Sequence, residues 1–231
     1  MKATVVIVGV VCSVVAKGCA PHQSESPQFT EEQYNRYYEA KEAALERLLG
    51  PMHDIVGHAI VPFGVTRGNV DMFNFPNGIA GTGFATMELI EPDGRGPKPN
   101  RIGTYELVTF TKLEMPAARD NSLPFYKIER RMCQIMTTIG YYSYEAVLNP
   151  GETGEIPADG DDLGLCLIFD EYRNDGAGLE IDGRRHCLLL CTEVFRSEME
   201  YAMHHGSEVV LSKLKDAGYY PYSDLDREPV F

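Results

Sequence analysis

The chain has 231 residues, 44% of them hydrophobic and 24% charged, and a formal net charge of −13. That is the composition of an ordinary folded protein, and it excludes disorder because aliphatic and aromatic residues are plentiful. The acid excess excludes sequence-independent binding to nucleic acid and docking on anionic lipid, and leaves open either a basic partner or solubility alone.

Residues 3–16 (ATVVIVGVVCSVVA) are uncharged and almost wholly apolar, flanked by Lys2 and Lys17. The run is short for a membrane span and fits the apolar region of a secretory signal. Ala16 and Gly18 are spaced as at a cleavage site, and Cys19 follows where a lipid-modified cysteine would stand, although Lys17 suits neither kind of signal. A buried first strand is the competing reading, since Val and Ile favour strands. The expectation is a signal segment over 1–18, a lipidation candidate at Cys19, a flexible lead-in over 19–28 and a single domain over 29–231. Export or envelope attachment is favoured over the cytoplasm, with membrane contact only through this segment or its anchor. Losing Lys2 and Lys17 with the segment would take the net charge to −15.

Thr30 is placed as an N-cap, Gln33 completes a capping box, and Phe29 and Tyr34 are spaced as a hydrophobic staple. Tyr34, Tyr37, Tyr38, Lys41, Leu45, Leu48 and Leu49 trace one helical face, and Gly50–Pro51 ends it. Strands are expected over Ile55–Val61, Val70–Phe75, Gly83–Ile90 and Thr104–Leu113. Ile128, Met132, Ile135 and Ile139 recur at helical spacing, which predicts a helix from Phe125 to Tyr141. The stretch NPGETGEIPADGDD reads as a loop, followed by strands Leu163–Tyr172 and His186–Glu193 around a turn-rich NDGAGLEIDG. Two helices close the chain. The first is capped by Ser197 with Glu200, and the second runs from Ser207 to Gly218. Strands outnumber helices and several connections are too short for crossover helices. The fold class is α+β: a mixed, largely antiparallel sheet flanked by helices, in one domain.

Motifs for catalysis are absent from this pattern. GIAGTG at 78–83 is followed by Phe84, Ala85 and Thr86, which meets neither the dinucleotide fingerprint nor the phosphate loop, so a turn into a strand is the reading. Asp159, Asp161, Gly164 and Asp170 fall at calcium-loop positions, but Leu163 occupies position five and an apolar strand follows. His204 and His205 point about 100° apart on a helix. The six cysteines, at 12, 19, 133, 166, 187 and 191, form no C-x-x-C pair. Cys187 and Cys191 lie about 13 Å apart on one strand, too far to bridge each other; a bridge between different strands stays open, and free core thiols are the expectation. His186 and Cys187 point to opposite faces of their strand. No catalytic residue, metal or cofactor is assigned.

From residue 104 onward the order is GTYELVTFTKL, FYKIERRMCQIMTTIGYY, an acidic loop, LGLCLIFDEY, then RRHCLLLCTEVFRSEMEYAMHHGSEVVLSKLKDAGYYPYSDLDREPV. This order resembles the suppressor of fused domain family, in its compact bacterial form. The tail SDLDRE resembles the family's D-x-x-R ending, carried by Asp224 or Asp226 with Arg227. The resemblance implies a single α+β domain without catalysis. Animal members hold a transcription factor through an extended peptide laid against sheet strands, and bacterial members look like immunity proteins of toxin systems. It therefore implies a protein-binding module that captures a toxin or extended peptide by strand addition. The capturing strands would match Phe84–Ile90 and His186–Cys191, with Thr86, Glu88, Glu91 and Asp93 as partner contacts. A protein or peptide partner, basic in charge, would suit the acid excess. The alternative is a hydrolase or metal-dependent enzyme with a site assembled in space.

Overall fold

A computed structural model of the protein describes residues 5–6, 29–64, 68–157 and 164–231. The expected signal segment, apart from Val5 and Val6, lies outside the described residues, as do Cys19 and the lead-in. Thirteen elements follow in order: β1 (Val5–Val6), α1 (Glu31–Leu49), β2 (Phe73–Phe75), β3 (Thr82–Ala85), β4 (Tyr105–Thr111), α2 (Pro124–Glu145), β5 (Thr153–Ile156), β6 (Leu165–Glu171), β7 (Glu180–Ile181), β8 (Arg184–Arg185), β9 (Cys187–Val194), α3 (Arg196–His205) and α4 (Ser207–Asp216).

One mixed sheet has the order β1-β5-β6-β9-β4-β3-β2, and β7 and β8 form a separate hairpin. The β4–β9 and β1–β5 pairs are parallel, and the remaining ladders are antiparallel. The fold is therefore α+β with a mixed, largely antiparallel sheet. Helices cover both faces. Tyr105, Leu107, Leu167, Phe169 and Leu189 point to α2, where they meet Phe125, Met132, Ile135 and Ile139. The alternate residues Val108, Phe110, Leu188 and Leu190 meet Ala44, Leu45, Leu48 and Leu49 of α1. Cys166, Ile168 and Val194, on that same second face, pack on α3 and α4. A strand buried on both sides reads as a continuous apolar run, which is why HCLLLC shows no alternation.

Local signals set the first helix. Thr30 Oγ1 accepts the Gln33 amide at 3.3 Å, Gln33 Oε1 accepts the Thr30 amide at 2.7 Å, and the Phe29 and Tyr34 rings meet edge-on at 5.8 Å. Gly50, at φ 82°, ends the helix. In the GIAGTG turn a Cβ on Gly78 would stand 1.6 Å from the Leu49 carbonyl oxygen, so glycine there permits close packing of the turn on the end of α1.

Several expected elements differ. Residues 55–61 form no strand. Gly57 and the neighbouring Pro62 make single bridges to Met72 and Asn69, residues that precede β2, and Ile55 and Ile60 stand exposed. Gly57 and Pro62 interrupt the run, and proline cannot donate to a ladder. The expected loop at 149–162 contains β5, a four-residue strand whose partner, β6, lies further along the chain. The first closing helix starts at Arg196, so its cap lies two residues earlier than the expected Ser197. Its cap is Phe195, whose amide donates to Glu198 Oε2 at 2.9 Å, and Ser197 Oγ instead donates to the Phe231 carbonyl at 3.3 Å.

The tail is irregular but anchored. Ser223 Oγ accepts the Glu193 amide at 3.0 Å, and Asp224 accepts from Thr111 Oγ1 at 2.5 Å and from the Lys112 amide at 2.7 Å. Arg227 grips Glu198 with both nitrogens, at 2.6 and 2.8 Å, and lies between the Phe195 and Tyr219 rings. The D-x-x-R ending is thus Asp224 with Arg227, a strap joining the end of β4 to the start of α3.

Candidate functional site

Glu106 sits on β4 among apolar residues and is wholly buried, with its side chain on the α1 face of the sheet. A buried carboxylate requires donors, and four converge on it. Lys41 Nζ of α1 donates at 2.9 Å, Thr86 Oγ1 at 2.7 Å, and the amides of Leu89 and Ile90 at 3.2 and 3.0 Å. Lys41, also wholly buried, spends its other two protons on the carbonyls of Met87 at 2.7 Å and Ile90 at 2.5 Å. Because this network takes the backbone groups of residues 87–90, β3 stops at Ala85 instead of running to Ile90. The chain leaves the sheet as a loop held from beneath.

Thr86 is inside this network. Its hydroxyl donates to Glu106 and accepts the Leu107 amide at 2.9 Å, and no part of it is exposed. It shapes the loop and offers nothing to a partner. Glu88 is partly buried and accepts the Asp71 amide at 2.7 Å. Burial raises its pKa to about 7, assisted by the negative charges of Asp71, Glu106 and Glu91. Glu91, at the start of a tight turn, is also raised, by burial first, with the charges of Lys41 and Arg95 opposing. Its carboxylate lies 3.5 Å from the Tyr38 hydroxyl. Asp93 is engaged by its own loop, accepting the Arg95 amide at 3.0 Å and Arg95 Nε at 2.5 Å.

Two cavities flank Glu91, which lines both. One, of about 470 Å³, lies between the start of α1, the 90–94 turn and the β7–β8 hairpin, with Phe29, Arg36, Tyr37, Arg184 and His186 on its walls. The other, of about 310 Å³, is bounded by Phe63, Glu88, Glu91, Arg95, Tyr141 and Tyr144. Three of the four expected contact residues thus stand on one loop between two hollows. Sequence reasoning missed Lys41 and Glu106 as a pair, although a lysine on an apolar helical face and a glutamate inside an apolar strand each signalled a buried partner. The aromatic wall from α2 carried no signal.

The strands matched to the family's capturing strands are interior. β3 pairs with β2 and β4, and β9 pairs with β4 and β6, so neither has a free edge for an added strand. The groups expected to matter least chemically are also accounted for. His186 Nδ1 lies 2.8 Å from Thr104 Oγ1, and burial lowers its pKa. Burial pushes the Cys187 thiol up to about 12, so it is not a thiolate near neutral pH. Cys133, Cys166, Cys187 and Cys191 are free thiols. Among the described residues no group of three or more His, Cys, Asp or Glu is placed to hold a metal ion, and no helix is long and apolar enough to cross a membrane.

No protein-family model matches this chain, and no curated protein matches it. Its fold is similar to that of a chain in the crystal structure of the Sufu-Fu complex, with a TM-score of 0.56 at 15% sequence identity, over 84% of this chain and 92% of that one. The chain therefore has a fold like that of suppressor of fused.

Proposed function

We propose that this chain is a non-enzymatic protein-binding module that captures an extended segment of a basic partner, as an immunity-type protein would hold a toxin. The observation that carries this reading is the loop at 88–93. It presents Glu88 and Glu91 between two cavities, and among the described residues neither forms an ion pair with a cationic side chain. The fold likeness to a protein solved in complex with a protein partner supports the same class.

Rigidity makes the loop suited to binding. Its backbone is already fixed by the Lys41–Glu106 network, so little conformational entropy remains to be lost when a partner docks. The acid excess would speed the approach of a cationic partner and make the association salt-sensitive. Strand addition belongs elsewhere on the sheet, at the outer edge of β5, where Val5–Val6 pair in parallel with Gly154–Glu155. A two-residue pairing is short enough to be displaced by a longer partner strand.

The test is co-purification from the native source at low salt, followed by a salt titration. A partner with an excess of Lys and Arg that is released as salt rises is the expected result. Recovery of no partner at low salt, together with turnover in an activity screen, would overturn the reading.

A further inference from the structure

The cavity between α2 and the 88–95 loop has a composition that the general charge argument does not require. One wall is aromatic. The Phe63 ring lies 4.4 Å from that of Tyr141 and 6.0 Å from that of Tyr144, centroid to centroid. Each tyrosine is fixed through its hydroxyl: Tyr141 donates to the Gly68 carbonyl at 2.9 Å and Tyr144 to the Leu89 carbonyl at 3.3 Å. Both rings nevertheless remain more than a third exposed. The apolar surface continues into Val61 and Ile60, which precede Phe63 in the chain and are themselves exposed.

The other wall is lined by carboxyl groups. The acids around it are unequal. Asp71 is engaged by His58 Nδ1 at 2.8 Å and by the Ala59 amide at 2.8 Å. Glu106 is saturated by Lys41, and Asp93 by Arg95. That leaves Glu88 and Glu91 as the carboxylates lining the cavity. Arg95 also lines it, but its guanidinium is held by Asp93, so it adds little net positive charge.

We infer that this cavity is a specificity pocket for one arginine side chain of the captured partner, stacked on the Tyr141 and Tyr144 rings and bound by the carboxylates of Glu88 and Glu91. Charge complementarity selects a cation. The flat guanidinium selects arginine over lysine, because it can lie on an aromatic face while its edge meets two carboxylates, and it is more weakly hydrated than an ammonium. Apolar residues beside that arginine would rest on Phe63, Val61 and Ile60. The pocket deepens the binding-module reading and rests on it.

The experiment is calorimetric titration of the whole chain, at low salt, with an acetylated and amidated pentapeptide, Val-Val-Arg-Val-Val. Its citrulline and lysine analogues serve as controls. Citrulline keeps the shape of arginine without its charge. The arginine peptide should bind at least tenfold more tightly than the citrulline peptide and several-fold more tightly than the lysine peptide. Glu88→Gln combined with Glu91→Gln should abolish that preference, and Tyr144→Leu should weaken both the arginine and lysine peptides. Thermal melts of each variant establish that it is folded. Equal affinity for the arginine and citrulline peptides, no binding of either, or a preference that survives in the double glutamine variant would overturn the pocket. A native partner held with unchanged affinity by the double glutamine variant would also sink the pocket while leaving the binding-module reading intact. Failure to recover any partner bears on that wider reading instead.

Discussion

Lys41 Nζ stands 2.9 Å from Glu106 Oε1, and both side chains have no exposure to solvent. The pair links α1 to β4, but its structural effect falls on a third segment. Through the Met87 and Ile90 carbonyls and the Leu89 and Ile90 amides it holds the loop that bears Glu88 and Glu91. All three lysine protons are used, and the carboxylate takes four donors. An ion pair removed from water is tolerable only when so completely satisfied.

Lys41→Met should therefore destabilise the chain by about 3–5 kcal/mol, the range for stranding a buried charge. Urea denaturation measures it. Lys41→Met combined with Glu106→Met should recover little, because four backbone groups of the loop lose their partners together. Full recovery in the double variant would mean that the pair is an isolated salt bridge and not the support of the loop. Hydrogen exchange at Leu89 and Ile90 should accelerate in either variant.

Glu88 has a pKa raised to about 7, above the ordinary value of 4.5 that it takes when unfolded. Between those values the folded state binds more protons, so the contribution of this group to stability falls as pH rises. Glu88→Gln should stabilise the chain at pH 8 by about 1 kcal/mol, after discounting for solvent screening, and should change it little near pH 4. Gln still accepts the Asp71 amide. Chemical denaturation at the two pH values checks the sign, and a destabilised variant at pH 8 would refute it.

Arg227 and Glu198 are almost wholly buried, at 4% and 0% side-chain exposure. Arg227→Ala should cost about 3–5 kcal/mol. Arg227→Lys keeps the charge but loses the two-pronged contact and the stacking between Phe195 and Tyr219, so it should recover only part. Limited proteolysis should then cut within residues 219–231, which the strap otherwise protects.

The thiols of Cys166, Cys187 and Cys191 are buried, and burial raises the pKa of each. A neutral-pH thiol titration of the folded chain should leave these three unreacted, while Cys133, only half-buried, reacts slowly. Unfolding in guanidinium should release all of them. Rapid modification of Cys187 in the folded state would contradict its placement in the core.

The first helix was legible to the residue because its ends depend on neighbours in sequence: Thr30, Gln33, Phe29, Tyr34 and Gly50 all act within a few positions of one another. The strand β5 was not, because only four residues pair, and their partner strand, β6, lies further along the chain. The expected strand over 83–90 failed halfway for a similar reason. Glu106, twenty residues on from Thr86, takes the amides that a continuing ladder would have used. Of the expected contact residues, Thr86 could be judged only once its burial was known, whereas Glu88, Glu91 and Asp93 share a loop by adjacency alone.

The class of the fold, the bounds of the first helix and the reading of HCLLLC as a strand came from the chain itself, because propensity, capping and apolar runs are local. It also determined the acid excess. Only the three-dimensional arrangement shows which acids are paired with cations, as Glu106 is with Lys41, Asp93 with Arg95, Glu193 with Arg131 and Glu198 with Arg227, and which still face open cavities. A carboxylate's charge is written in the chain, but whether it is buried, paired or offered to a partner depends on residues brought beside it by the sheet.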